Sequence, residues 1–290
     1  MQIDTALVRR LVTAQFPGWA EHPVRPVDLD GWDNRTFRLG ADLSVRLPSA
    51  AGYVPQVDKE HRWLPVLAPH LPLPIPEPVA RGNPGAGYPY PWSVYRWLDG
   101  EPAARATIAD PIRFATDLAG FLAALGRIDP SDGPPAGQHS AWRGGPLTTY
   151  DEDTRQAVAA LAGRIDGELA LEIWRTALEA TWTGPPVWFH GDVGVGNLLV
   201  RDGRLAAVID FGCAGVGDPA CDVTAAWTMF SGRARAAFRD ALAVDQATWA
   251  RGRGWTLWKA LIVLAHDGDT EKLTWARRTL EAVFTEYRST

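Results

Sequence analysis

The chain has 290 residues, 46% of them hydrophobic and 22% charged, the balance of a soluble globular protein with one large domain or two lobes. A net charge of −5 without any basic block excludes the electrostatic footprint of a nucleic-acid binder, although an acidic excess tolerates a cationic substrate. The two cysteines, Cys213 and Cys221, do not form a disulfide pattern, no apolar run reaches membrane-spanning length, and Asp4 interrupts any leader-like start, so the expectation is a cytoplasmic monomer or weak dimer with no membrane and no nucleic-acid partner.

Taken in order, Asp4 offers an N-cap, and Leu7, Val8, Leu11, Val12 and Phe16 follow at helical spacing until Pro17-Gly18 stops the helix. Residues 24–29, 36–39 and 43–47 read as three short strands. Between the first two lies Gly31-Trp32-Asp33-Asn34. A strand, a small polar turn and a second strand can cover nucleotide phosphates with backbone N–H groups; the same turn read alone is an ordinary hairpin. Residues 57–67 form a helix. The next stretch, 64–91, is dense in proline, which leaves extended loop and edge strand, with short strands at 75–80 and 92–98. Asp110-Pro111 is an N-cap and first-turn pair for a long helix whose core stripe is Phe114, Leu118, Phe121, Leu122 and Leu125.

Residues 129–146 are rich in glycine and proline and read as loop, and 151–182 as helix. The acids Asp151, Glu152 and Asp153 near its start either favour the helix N-terminus or form an acidic wall for a polyamine-like substrate. Three further helices are expected at 221–230, 249–265 and 270–287. Asp267, Asp269 and Glu271 lie at the last junction, either as a capped turn or as a second acidic rim.

The stretch from Val187 to Asp222 carries the chemistry. An apolar run ends at His190-Gly191-Asp192, Asn197 leads into a second run, Arg201-Asp202-Gly203-Arg204 is a tight hairpin turn, and the return run ends at Asp210-Phe211-Gly212. Such a hairpin gathers Asp192, Asn197 and Asp210 towards one end, a set of hard oxygen ligands suited to magnesium. Six scattered histidines give no metal-ligand spacing for a metal-dependent phosphoesterase.

An aspartate, an asparagine five residues on and a later Asp-Phe-Gly resembles the catalytic and metal loops of protein kinases. With His190-Gly191-Asp192 and Gly217-Asp218-Pro219-Ala220-Cys221-Asp222, the chain resembles the aminoglycoside phosphotransferase family of kinase-like small-molecule phosphotransferases. The resemblance implies an α+β, two-lobed protein-kinase-like fold. Residues 1–98 would form a small β-rich nucleotide-binding lobe, and 99–290 a larger, mainly helical catalytic and substrate-binding lobe. It implies transfer of the γ-phosphate of ATP or GTP, with Mg2+, to a small-molecule hydroxyl.

In that scheme Asp192 receives the hydroxyl proton and Asn197 and Asp210 hold the metal. His190, Asp218 and Asp222 support the loop. Arg46, held by Glu60, replaces the usual phosphate-binding lysine; only three lysines occur in the chain. Asn34 belongs to the phosphate-covering turn, and backbone around Arg96 and Leu98 would receive the adenine ring. Aminoglycosides lead as the acceptor class. Macrolides, metabolic alcohols such as homoserine, choline or a sugar, and a non-catalytic nucleotide-binding protein remain the alternatives.

Overall fold

The computed structural model describes residues 2–27, 31 and 33–289. The chain folds as two compact units, one formed by Met1–Glu101 together with Ala206–Gly212 and the other by Pro102–Leu205 and Cys213–Thr290. Strands dominate the first and helices the second, an α+β organisation.

The first unit opens with helix α1 (Thr5–Gln15), capped by the Asp4 carboxylate, which accepts from the Leu7 N–H at 2.8 Å. Strands β1 (Val24–Pro26), β2 (Asn34–Leu39) and β3 (Leu43–Pro48) follow, then helix α2 (Val54–Leu67), β4 (Pro78–Gly82) and β5 (Trp92–Arg96). They make one antiparallel sheet in the order β1-β2-β3-β5-β4. The period of two decides what each face does. Leu43, Val45 and Leu47 of β3 are buried with Leu7, Val8, Leu11 and Val12 of α1 in one core. The alternate residues Ser44 and Arg46 pair across to Tyr95 and Ser93, and on that face α2 supplies Glu60 and His61 as partners. Burial of the first face thus directs Arg46 to α2.

Two strands differ from the sequence reading. β4 starts at Pro78 rather than 75, because Pro76 and Pro78 give no donors; it stays at the sheet edge with an irregular register between Pro78 and Ala80. β5 stops at Arg96, two residues early. The expected strand at 24–29 is seen over Val24–Pro26; Leu29, like Trp32 of the polar turn, lies outside the described residues.

A two-residue strand β6 (Glu101–Pro102) spans the boundary of the two units, and in the second unit helix α3 (Pro111–Leu125) begins where Asp110 accepts from the Ile112 and Arg113 N–H groups. The single helix expected over 151–182 is two, α4 (Asp151–Ala160) and α5 (Gly167–Glu179). Gly163 takes a positive φ of 74° between them, and Asp166 caps the second helix on Leu169. Strands β7 (Val187–Phe189), β8 (Leu198–Arg201), β9 (Arg204–Val208) and β10 (Gly215–Gly217) follow. The turn joining β8 to β9 has positive φ at both Asp202 (53°) and Gly203 (73°), the hairpin geometry that Asp-Gly favours. Within β9 the chain passes from the second unit back to the first.

The helix expected at 221–230 is largely a tight 3₁₀ turn over Pro219–Thr224, with only α6 (Ala225–Thr228) α-helical. Helix α7 (Gly232–Leu242), which packs on α3, has no counterpart in the sequence reading. Helices α8 (Gln246–His266) and α9 (Thr270–Tyr287) end the chain; α8 packs on α4, α5 and α9. Among the described residues no helix is long and apolar enough to cross a membrane.

Candidate active site

In the first unit Arg46 stands between two carboxylates. Its Nη1 lies 3.4 Å from both Glu60 oxygens and its Nη2 3.4 Å from Asp210 Oδ1. Glu60 is buried and also accepts a short hydrogen bond from the Tyr95 hydroxyl, while the Arg46 guanidinium lies 5.6 Å from the Tyr95 ring centroid. Burial alone would lower the Arg46 pKa, but Glu60 and Asp210 outweigh it and hold the guanidinium charged, its pKa raised. Burial, followed by the Glu60 charge, pushes the Tyr95 hydroxyl well above its ordinary value, so it donates to Glu60 rather than ionising.

Asp210 itself has a φ of 64°, a left-handed conformation uncommon for a residue with a side chain. Its Oδ1 accepts from the Gly212 N–H at 3.4 Å, and Lys59 donates to the Gly212 carbonyl. A Cβ at Gly212 would lie 2.9 Å from Gln56 Nε2, so the Gln56 side chain of α2 packs directly on this glycine. Gln56 in turn donates to Asp33 at 2.9 Å and accepts from Asn34 at 3.4 Å, which places Asn34, a buried residue, against α2 and not beside Arg46. Arg96 is exposed and pairs with Glu77 at 3.3 Å, and its backbone N–H is already committed to the Glu77 carbonyl at 2.9 Å. That commitment removes the Arg96 N–H from the expected adenine-binding backbone. Leu98, half-buried, has no hydrogen-bond partner among the described residues.

In the second unit β7 delivers His190, Gly191 and Asp192. The Asp222 carboxylate accepts from the N–H of His190 and of Gly191, each at 2.7 Å, and both His190 and Asp222 are buried. Burial pushes the Asp222 carboxyl above its ordinary value, opposed by His190 and by the two backbone donors. Gly191 takes a φ of 83°, and a Cβ there would lie 2.7 Å from the Cys213 carbonyl oxygen, so this position admits glycine alone. His190 Nδ1 accepts from the Asp192 N–H at 3.2 Å. Asp192 is exposed. Asn197 Nδ2 donates to the Asp192 main-chain oxygen at 2.9 Å and to its carboxylate at 3.1 Å, so the amide nitrogen fixes the aspartate and only the amide oxygen can serve a cation.

Asp218 caps the turn through the Ala220 N–H at 3.0 Å and takes a bidentate pair from Arg251, at 2.6 and 3.1 Å. Arg251 also donates to the Ala180 carbonyl and to Thr248. The sequence reading missed Arg251. Its signal was the Arg251-Gly252-Arg253-Gly254 repeat inside an apolar helix, since a buried arginine requires an acid. The two glycines let α8 approach its neighbours: a Cβ at Gly252 would lie 2.6 Å from Val223, and one at Gly254 2.5 Å from Ala177.

The sequence profile of the phosphotransferase enzyme family matches residues 24–255, most of the chain and all of these residues. The chain belongs to that family. Over nearly its whole length it also superposes on solved kinase-like enzymes. One is a mutant of aminoglycoside 2'-phosphotransferase-IIIa in its GDP complex, at TM-score 0.72 and 20% identity over 99% of this chain and 98% of that one. Another is the macrolide 2'-phosphotransferase MphH from Brachybacterium faecium, at TM-score 0.66 and 22% identity over 97% of each. At these identities the likeness establishes the kinase-like fold. The uncharacterized protein YcbJ of Bacillus subtilis (strain 168) is 29% identical over 170 residues, 56% of this chain. The match spans about half, 51%, of that curated relative's length.

For a member of this family the placement of the acidic candidates matters. Asp151 accepts from Arg155 at 2.9 Å and from the Trp174 indole at 2.7 Å, and these two bonds hold its carboxyl below its ordinary value. Glu152 accepts from Gln156, and Asp153 completes the first turn of α4. Asp267 accepts from Lys272 at 3.0 Å and from the Asp269 N–H. Asp269 caps α9 on Glu271 and Lys272, with Glu271 exposed in the first turn. Both clusters lie at the starts of helices, where acidic side chains complement the helix dipole.

Proposed function

We propose that the protein transfers the γ-phosphoryl group of ATP or GTP to the hydroxyl of a small molecule. The observation that carries this reading is the Asp192–Asn197 pair: one amide nitrogen fixes an exposed carboxylate while the amide oxygen is left over. In phosphoryl transfer the protein contributes mainly position and charge compensation. The acceptor oxygen bonds to the γ-phosphorus as the bond to the β,γ-bridging oxygen breaks, and the hydroxyl proton passes to an Asp192 carboxylate oxygen. Asp222 holds the loop rigid through two main-chain donors, and His190 through the Asp192 N–H. Arg46, held by Glu60, offers positive charge to the nucleotide phosphates.

The donors assigned to magnesium, Asp210 and Asn197, are hard oxygens, few in number, which suits an ion that keeps water and phosphate in its shell. The strained backbone at Asp210 is of the kind that clusters at functional positions. Magnesium would neutralise phosphate charge as it develops. Similar folds include an aminoglycoside and a macrolide 2'-phosphotransferase, and both acceptor classes stand as proposals.

The test is magnesium-dependent nucleotide turnover against aminoglycosides, macrolides and small metabolic alcohols. Asp192→Ala should lower kcat by about 10²–10⁴-fold, the range for a positioned general base, with nucleotide affinity retained. Undiminished turnover in the variant would remove Asp192 from the mechanism. Nucleotide binding with no turnover on any acceptor would favour a binding protein.

A further inference from the structure

Three arginines, Arg46, Arg251 and Arg253, are largely buried against a carboxylate, and one of these pairs is built differently. Arg251 meets Asp218 with Nε and Nη2 at 2.6 and 3.1 Å, and Arg253 meets Glu286 with the same two nitrogens at 2.7 and 3.1 Å. Each is a two-nitrogen fork closed on both oxygens of one carboxylate. Arg46 meets Glu60 through one nitrogen. Its Nη1 lies 3.4 Å from each Glu60 oxygen, while Nη2 is directed to Asp210 Oδ1, also at 3.4 Å. Its Nε makes no hydrogen bond among the described residues. These separations exceed the ~2.7–2.9 Å of a tight charged hydrogen bond, so the guanidinium is held by charge without being locked.

Asp210 and Tyr95 together account for the difference. Arg251 and Arg253 each serve one carboxylate, whereas Arg46 is divided between two. Glu60 is 4% exposed, and a carboxylate so buried requires close donors. Its arginine stays at a distance, and the Tyr95 hydroxyl donates to Glu60 Oε2 instead. Burial and then the Glu60 charge hold that hydroxyl protonated, so it is always a donor. Tyr95 is also fixed in place. It is 2% exposed on β5, its ring centroid lies 6.2 Å from that of His61, and His61 is hydrogen-bonded to Ser93 of the same strand at 3.1 Å. Without the hydroxyl, Glu60 would have Arg46 as its remaining side-chain partner among the described residues. A fork would then form as it does at Asp218 and Glu286, drawing the guanidinium towards α2 and away from Asp210.

We propose that Tyr95 is a positioning residue for the nucleotide: its hydroxyl satisfies Glu60 in place of a closed fork, so that Arg46 stays divided between Glu60 and Asp210 with donors available to the phosphates. This rests on the phosphotransfer reading and adds to it a residue that acts through another.

Two measurements on the full chain test it. In the first, magnesium-ADP is titrated calorimetrically into native protein and variants. Tyr95→Phe keeps the packed ring and should weaken binding about tenfold, the order of one hydrogen bond to a charged group. In the Glu60→Gln background the same change should cost less than about twofold, since the carboxylate that the hydroxyl serves is gone. An equal loss in both backgrounds would make Tyr95 a packing residue and overturn the proposal, as would no loss in the native background. The second measurement needs no nucleotide. Solvent exchange of the Arg46 Nε–H, followed by NMR and assigned by its absence in Arg46→Lys, should slow in Tyr95→Phe as the fork closes over it. Unchanged or faster exchange would overturn the proposal. Failure of native protein to bind magnesium-ADP would instead sink the phosphotransfer reading, while the exchange measurement would still decide whether Tyr95 holds the pair open.

Discussion

At the scale of single residues, buried charge in this protein is consistently met by a specific partner, and the partner defines the role. Glu60 is met by Arg46 and Tyr95, Asp222 by two main-chain N–H groups, Asp218 by Arg251. Glu286 of α9 follows the same rule with no part in the proposed chemistry: it accepts from Arg253 at 2.7 and 3.1 Å and from the indoles of Trp249 and Trp227. Burial alone would raise its carboxyl, but Arg253 and the two indoles outweigh that and hold it below the ordinary value. A depressed folded-state pKa means the native state holds its proton less tightly than the unfolded chain. The stabilisation is therefore present above the unfolded value near 4.5 and is lost as pH falls through the lower, folded value. Glu286→Gln should cost about 3–5 kcal/mol at neutral pH, since Arg253 is left buried without an anion, and should flatten the acid limb of stability. Urea unfolding of both proteins between neutral and acidic pH measures this; an acid limb unchanged in the variant would contradict it.

At the scale of elements, the catalytic loop is shaped by two backbone requirements, the left-handed Gly191 and the close approach of Cys213. Gly191→Ala should destabilise by about 1–3 kcal/mol and lower kcat more than it raises nucleotide KM, because the loop rather than the nucleotide contacts is displaced. Equal effects on kcat and KM would point to general loosening instead. Elements with local signals were legible in the sequence. Asp4, Asp110 and the Asp202-Gly203 turn each announce themselves by side-chain chemistry that needs only neighbouring residues. The helix break at 161–166 was not legible, because Leu161 and Ile165 continue the apolar period while Gly163 interrupts it. Helix α7 was missed for the opposite reason: its sequence is mostly arginine and alanine, and its buried contacts, Ala234 and Phe238, become informative only once α3 lies beside them.

At the scale of the whole molecule, the spacing of Asp192, Asn197 and Asp210 was legible, but their assignment to units was not. The β9 strand returns Ala206–Gly212 to the first unit, so Asp210 belongs with Arg46 and Glu60, while Asp192 and Asn197 belong with Asp222. A chain-order division at residue 98 has no way to represent that return, since non-local packing decides it. The arrangement gives Asp210 a neighbour of its own: Arg46 already lies 3.4 Å from its Oδ1, so a metal ion must compete with, or share, that oxygen. Magnesium should therefore depend on nucleotide for binding, its phosphates supplying the ligands this chain does not. Thermal unfolding tests this directly. Magnesium alone should leave Tm unchanged, and ADP alone should raise it slightly. The two together at about a hundredfold above Kd should add about 2.7 kcal/mol, a shift of several degrees for a chain of this size. Asp210→Asn should remove the magnesium-dependent part and keep the part owed to ADP. A shift with magnesium alone, or one that survives in Asp210→Asn, would mean that the ion is held by other oxygens and that the strained aspartate serves Arg46 instead.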